Sequence, residues 1–299
     1  MRGMEGLCFL NKEWVELDSA SIPISDLGLV RGYGVFDYLR TYNGRPFHLL
    51  DHLTRLERSA EILDLTLPMT FQEIEAVVEE ILRRTGFSET SIKLILTGGQ
   101  SSDQFTYEDS PTFCVMAYPF KPFPNKYYEE GVAVCTTRAL RSFPQAKSTC
   151  YLTAMAAMKK AKLAGAQDAL YVNQQNEVLE ALTGNIFVVK KGRLITPLSE
   201  EILYGITREV VRRCAEPDIE VEIAPLPLSE VESWDEAFIT STSREVMPVV
   251  SMDGRPIGEG KIGAVTKEMH ERFKTYTNAE NWPSFCHVNN LIDASVKYL

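Results

Sequence analysis

The sequence predicts an α+β fold divided into two domains, and three observations carry that prediction. Short apolar runs are joined by tight-turn pairs at Asn43-Gly44, Lys191-Gly192 and Asp253-Gly254, which suit antiparallel hairpins. Amphipathic helical stretches fall between the hairpins at irregular intervals, without the regular β-α-β alternation of a parallel sheet. The run FKPFPNK from Phe120 to Lys126, with two prolines in a short span, reads as a linker. The division is therefore 1–119, an N-terminal α/β domain; 120–126, the linker; and 127–299, a C-terminal domain. A chain of 299 residues is long enough for two modest cores.

In order, Gly6 to Leu17 reads as two short strands around Asn11 and Lys12, and Val35 to Leu50 as a hairpin turning at Asn43-Gly44. A helix follows Asp51, with Leu53, Leu56, Ala60 and Leu63 on one face. A second follows Thr70, where Thr70 and Glu73 have capping-box spacing; Ile74, Val77, Val78, Ile81 and Leu82 repeat at helical intervals and Gly86 stops it. Ser91 to Thr97 and Thr112 to Tyr118 are strand-like, separated by a connection long for a hairpin and therefore a candidate functional loop. Past the linker come a strand from Val132 to Thr137 and a helix from Tyr151 to Ala164 closed by Gly165. Strands follow at Ala169–Val172, Val178–Leu179, Ile186–Lys190 and Arg193–Thr196, then a helix over Thr207–Ala215 and strands at Ile219–Ile223 and Ala237–Thr240. Helices at Ile262–Phe273 and Leu291–Tyr298 end the chain.

Composition excludes some functions. A net charge of −10 and a pI near 5.1 argue against a nucleic-acid surface, which needs clustered Lys and Arg. The six cysteines show no C-x-x-C spacing and read as free thiols in a reducing compartment. The start MRGMEGLCFL lacks a long apolar run with a cleavage site, and no window suits a membrane span, so a cytoplasmic protein is expected. His48 and His52 straddle a hairpin-to-helix boundary without an evident third ligand, and no metal site is expected. RGYGVFD lacks the third glycine and the strand-turn-helix context of a dinucleotide fingerprint.

The chemistry concentrates between Arg138 and Asn185. Lys147 is the only charged residue from Phe143 to Ala157, whereas Lys159, Lys160 and Lys162 cluster on a helix as a solvated face. A lysine among uncharged residues loses hydration, which lowers its pKa and frees the amine to attack a carbonyl; otherwise its stem is buried while its charged end reaches water. Glu180, at the end of a strand, is the second residue of interest.

Five stretches carry a resemblance: ISDLGLVRGYGVFDYLRTYNG (Ile24 to Gly44), VLEALTGNIFVVKKGRLITP (Val178 to Pro197), YGITREVV (Tyr204 to Val211), FITSTSREVMPV (Phe238 to Val249) and GKIGAVTKEM (Gly260 to Met269). With Lys147 and its flanks, they resemble the class IV pyridoxal phosphate (PLP) aminotransferases. That family includes branched-chain and D-amino acid aminotransferases and aminodeoxychorismate lyases. The resemblance implies an α/β N-terminal domain, a C-terminal pseudobarrel, pyridoxal 5′-phosphate between them and a homodimer.

It also implies roles. Lys147 is the Schiff-base lysine and proton shuttle. Glu180, in V-x-E-A-x-x-x-N-I-F, is the partner that keeps the pyridine nitrogen protonated. Ile206 and Thr207 at a helix start, Ser241 and Thr242 in TSTS, and Arg55 in H-L-x-R-L form the phosphate cup. Tyr151 is a candidate partner of the ring hydroxyl, and Arg138 a candidate near the cofactor.

For the substrate carboxylate the residues that the D-amino acid and branched-chain enzymes use are absent after Thr97. Arg31, Arg40 or an arginine of the partner subunit are candidates, because a guanidinium binds a carboxylate at two points. The pocket wall is Phe36 and Tyr38, or Val35 and Asp37 if the strand register is opposite. The expected activity is transfer of an amino group between a branched-chain L- or D-amino acid and a 2-oxo acid such as 2-oxoglutarate. The alternative is a lyase resembling aminodeoxychorismate lyase, which releases pyruvate. A binding protein without catalysis would have no chemical need for Lys147, Glu180, Arg55, Thr207 and Thr242 together.

Overall fold

Asn43 and Gly44 take φ angles of 53° and 72°, the left-handed pair that a tight hairpin turn requires. The hairpin they close belongs to the first of two sheets. The computed structural model describes residues 5–197, 201–216 and 218–285. The predicted helix at Leu291–Tyr298 lies outside them.

The first half runs β1 (Leu7–Leu10), β2 (Glu13–Glu16), α1 (Leu27–Val30), β3 (Gly34–Tyr42), β4 (Arg45–Pro46), α2 (Leu49–Ile62), α3 (Phe71–Thr85), β5 (Thr90–Thr97) and β6 (Thr112–Pro119). These strands form a 6-stranded antiparallel sheet in the order β2-β1-β6-β5-β3-β4. Alternation divides its faces. Val35, Leu39, Ile92, Leu94 and Val115 pack under Leu53, Leu56 and Ala60 of α2 and Ile74 and Val78 of α3. Phe36 and Tyr38 therefore emerge on the other face. Helix α3 starts on the Thr70–Glu73 capping box and ends at Gly86, whose φ is 60°. Helix α2 starts at Leu49 and so includes Asp51, which the predicted helix follows; β4 before it is only two residues long.

The second half runs α4 (Lys126–Glu129), β7 (Val132–Thr137), α5 (Leu152–Leu163), β8 (Asp168–Val172), β9 (Val178–Ala181), β10 (Gly184–Lys190), β11 (Arg193–Thr196), α6 (Ile206–Ala215), β12 (Val221–Ile223), β13 (Glu236–Ser241), β14 (Glu245–Met252), β15 (Arg255–Pro256) and α7 (Ala264–Thr277). Strands β10, β13, β14, β7, β8 and β9 pair in sequence, and the additional β9–β10 pairing closes them into a ring. This ring is the predicted pseudobarrel. Alternating residues along its strands, including Val134, Leu170, Val178, Ile186, Ile239 and Met247, belong to one core cluster. Helices coat the outside: α5 packs on Ala169 and Tyr171, while α6 and α7 pack on Phe187 and Phe238.

The two sheets share a core. Tyr42 and Phe47, at the β3–β4 hairpin, pack in the same cluster as Phe187, Phe238 and Phe273. A second junction positions the site. The chain at Lys147 lies against the start of β3, with the Phe36 N–H donating to the Lys147 carbonyl at 2.9 Å and the Thr149 N–H to the Gly34 carbonyl at 2.8 Å. The Lys147 N–H donates to Ser59 Oγ of α2 at 3.1 Å.

Candidate active site

A cavity of about 290 Å³ opens where the ring's closing hairpin meets β3 and α2. It is lined by Lys147, Glu180, Arg55, Tyr151, Ile206, Thr207, Ser241, Thr242, Phe36 and Tyr38, so residues distant in sequence converge on one space. Of the two possible registers of β3, the one that turns Phe36 and Tyr38 to the cavity is observed. Val35 and Asp37 are fully buried on the helix side.

Lys147 is half-buried, with its ammonium 4.8 Å from the centre of the Phe36 ring. Burial pushes its pKa down to about 7, Arg55 and Arg141 push the same way, and Asp37 and Glu180 oppose them. The free amine is thus available near neutral pH, as the charge-free flanks predict. A second lysine, Lys93 of β5, stands 4.8 Å from the same ring and is also pushed down by burial, but it does not line the cavity.

Glu180 is the penultimate residue of β9 and is only 3% exposed. Arg141 Nη1 donates to its Oε1 at 2.6 Å and the Leu203 N–H to its Oε2 at 3.1 Å. Burial pushes its carboxyl up and Arg141 counters. Arg141 also donates to the Ala146 carbonyl at 2.6 Å, tying the Glu180 partner to the residue before Lys147. Sequence reasoning pointed to Arg138 instead. The structure places Arg138 on the surface, donating to Asn176 Oδ1 at 2.6 Å.

Arg55 reaches from α2 and forms a two-point pair with Asp37, Nε to Oδ2 at 2.8 Å and Nη2 to Oδ1 at 2.7 Å. His52 Nδ1 lies 2.6 Å from the same Oδ1. Burial alone would raise the Asp37 carboxyl, but Arg55 and His52 hold it well below the usual carboxylate range. Asp37 thus fixes the guanidinium and does not form pocket wall.

The start of α6 has Gly205 as its N-cap and no side-chain cap, leaving first-turn amides beside the cavity. A Cβ on Gly205 would meet Asn185 Oδ1 at 1.9 Å, so the close approach requires glycine. Asn185 Nδ2 donates to the Leu203 carbonyl at 2.9 Å while Glu180 accepts from the Leu203 N–H. The two side chains, paired across β9 and β10, grip one residue just before the helix. Nearby, Thr240 is a lining residue, and its Oγ1 is buried without a hydrogen-bond partner among the described residues. Arg244, also in the wall, pairs with Asp168 at 2.8 Å.

Arg31 is not part of this cavity. It is exposed, donates to the Val30 carbonyl at 3.0 Å, and lines a separate cavity of about 540 Å³ with Tyr33, Phe105 and Cys150. Arg40 is likewise outside, paired with Glu245 at 3.3 Å.

This fold, an antiparallel sheet joined to a closed six-stranded ring, is shared with aminotransferases of known structure. The branched-chain amino acid aminotransferase of Escherichia coli superimposes with a TM-score of 0.86 at 25% identity, over 93% of this chain and 97% of that one. That of Thermoproteus uzoniensis, solved with norvaline, does so with a TM-score of 0.83 at 28% identity, over 92% and 95%. A further branched-chain amino acid aminotransferase of the same fold, with a TM-score of 0.86 at 26% identity, was solved with pyridoxamine 5′-phosphate. In sequence, a putative branched-chain-amino-acid aminotransferase of Methanocaldococcus jannaschii is 36% identical over 276 residues, 89% of this chain and 94% of that protein. A D-alanine aminotransferase of Staphylococcus haemolyticus is 30% identical over 280 residues, 91% of this chain and 98% of that protein. Residues 34–252 match the family described as amino-transferase class IV, and the chain belongs to that family.

The family's cofactor is pyridoxal 5′-phosphate. The residues present fit it: a lysine with a depressed pKa, a buried carboxylate, uncapped helix amides, an arginine and an unpartnered buried hydroxyl surround one cavity. Among the described residues no helix is long and apolar enough to cross a membrane.

Proposed function

We propose that this enzyme is an amino acid transaminase, moving an amino group between an amino acid, branched-chain L- or D-, and a 2-oxo acid such as 2-oxoglutarate. The observation that carries the reading is the convergence of Lys147, Glu180, Arg55 and the uncapped start of α6 on one cavity. When bound, pyridoxal 5′-phosphate supplies an electron-withdrawing ring that stabilises negative charge at the carbon bearing the amino group. Lys147 would hold the cofactor through its Nζ, and its pKa of about 7 would suit the amine to take and return the substrate Cα proton. Glu180 would hold the proton on the ring nitrogen, and Arg141 counters the upward push of burial on its carboxyl.

Arg55, Ile206, Thr207, Ser241 and Thr242 receive the phosphate, and Tyr151 is a partner for the ring hydroxyl. Phe36 and Tyr38 give the substrate side chain a largely apolar wall. Arg31 is assigned no role in the cavity of its own chain. It lines a cavity with Phe105, Leu140 and Phe143, apolar side chains exposed by 78%, 46% and 47%, and such a surface suits burial against a second copy. A cytoplasmic homodimer, with the domain division at 120–126, completes the proposal.

The test is a half-reaction. Mixing the yellow protein with L-leucine, L-glutamate, D-alanine or D-glutamate alone should bleach the yellow absorbance for one enantiomeric series, and 2-oxoglutarate should restore it. Release of pyruvate from aminodeoxychorismate without any amino acceptor, with no bleaching by the four amino acids, would replace the transaminase reading by the lyase one.

A further inference from the structure

One charged residue beside the cavity holds a backbone conformation that side chains ordinarily avoid. Glu245 opens β14 opposite Ser241 and has a φ of 56°. A non-glycine residue persists there only when its surroundings hold it. Those surroundings are specific. Tyr42 Oη donates to Glu245 Oε1 at 2.9 Å, Arg40 Nη1 donates to the same oxygen at 3.3 Å, and His270 Nε2 stands 3.6 Å from Oε2. Arg40 is clamped in turn, its guanidinium carbon 3.5 Å from the Phe120 ring centre and 4.2 Å from that of Tyr42. Tyr128, stacked on His270 at 5.0 Å, donates to the Arg244 carbonyl at 3.1 Å.

None of Arg40, Tyr42, Glu245 or His270 lines the Lys147 cavity, yet the turn they hold does: Ser241, Thr242, Ser243 and Arg244 are all in its wall. Strand β3 presents Phe36 and Tyr38 to the cavity and, farther along, Arg40 and Tyr42 to Glu245. The N-terminal sheet and the β13–β14 turn are thereby tied at two places on one strand. We propose that Glu245 is a positioning residue: it latches the Ser241–Arg244 turn to β3 and so holds the Ser241 and Thr242 donors where they grip the cofactor's phosphate. The latch rests on the phosphate-cup assignment above, and its test separates the two. Two changes at 245 divide the carboxylate from the backbone. Glycine eases the positive φ but deletes the carboxylate, whereas glutamine keeps an acceptor for Tyr42 and removes the charge.

The measurement is a titration of apoprotein with pyridoxal 5′-phosphate, followed by absorbance, for wild type, Thr242→Val, Glu245→Gly and Glu245→Gln. Calorimetry of each apoprotein checks the fold. The expected order is binding about tenfold weaker for Thr242→Val and for Glu245→Gly, and about threefold weaker for Glu245→Gln, in keeping with the loss of a charged and of a neutral hydrogen bond. A partial recovery by glutamine over glycine marks the carboxylate as the cause, since backbone ease would favour glycine. If Thr242→Val weakens binding while both Glu245 variants bind as wild type, the latch is wrong and the cup stands. If Thr242→Val has no effect, the cup assignment fails and takes the latch with it. Should the glycine variant not fold, the glutamine variant decides alone.

Discussion

The pKa of Lys147 is lowered by what surrounds it, and a stretch of sequence free of other charges announces those surroundings. Its pKa of about 7 has two consequences. Between pH 6 and pH 8 the free-amine fraction rises roughly tenfold and then levels, so the rate of cofactor capture by apoprotein should plateau above about pH 8. A lysine at its ordinary value would keep accelerating through about pH 10. The second consequence is for stability. Because the folded-state pKa lies below that of the unfolded chain, folding releases a proton between pH 7 and 10.5, and the penalty is fully present below about 7 and relieved as pH rises. Lys147→Met should therefore raise the melting temperature of the apoprotein at pH 7, by about 2 °C or more, and by less at pH 10. Equal melting temperatures at pH 7 would contradict the depressed pKa. Arg141 and Asp37 were not legible in the same way. Arg141 sits three residues after Arg138 in one connecting segment, with nothing in its neighbours to distinguish the two, and only the fold shows which one meets Glu180. Strand alternation gives two registers and no sign to choose between them, so the sequence alone leaves Asp37 as possible pocket wall. Replacing Arg141 by Met leaves Glu180 buried without its cation, so the carboxyl should take a proton and turnover should fall more than about tenfold. An unchanged rate would remove Arg141 from the account.

Helix α6 shows how an element makes a site. Its first turn is presented to the cavity because Glu180 and Asn185 grip Leu203 from both sides and Gly205 passes within contact of Asn185. Gly205→Ala should weaken cofactor binding about tenfold or more, since its Cβ has no room and the amides must shift; a normal affinity would show that the amides are not used. Local signals elsewhere were readable because the physics is local. Thr70 and Glu73 do form the capping box, and Thr70→Ala should cost about 1 kcal/mol of stability in a denaturant melt while leaving turnover unchanged. The ring closure was not readable from residues alone. The β9–β10 hairpin is local, but it closes a ring only because β10 pairs with β13 and β14 with β7, partners far apart in the chain, and only the resemblance points to a pseudobarrel. The four-residue helices α1 and α4 escaped for another reason, being too short to show a period.

The whole molecule brings a lysine bonded to the N-terminal sheet and a carboxylate of the C-terminal ring to one cavity, and the two halves share a core that includes Tyr42, Phe47 and Phe273. Exposed Phe105, Leu140 and Phe143 around the Arg31 cavity predict a homodimer. Sedimentation should give about twice the chain mass of 33.7 kDa, and a monomer at micromolar concentration would contradict the prediction. The central claim is that Lys147 is the amine that joins the cofactor, although Lys93 stands as close to the Phe36 ring. Reduction of the yellow protein with borohydride fixes the cofactor to whichever lysine carries it, and mass spectrometry of the digest then identifies the residue. The account predicts the adduct on the peptide containing Lys147, retained in Lys93→Ala and lost in Lys147→Ala. An adduct on Lys93, or one that survives in Lys147→Ala, would contradict it.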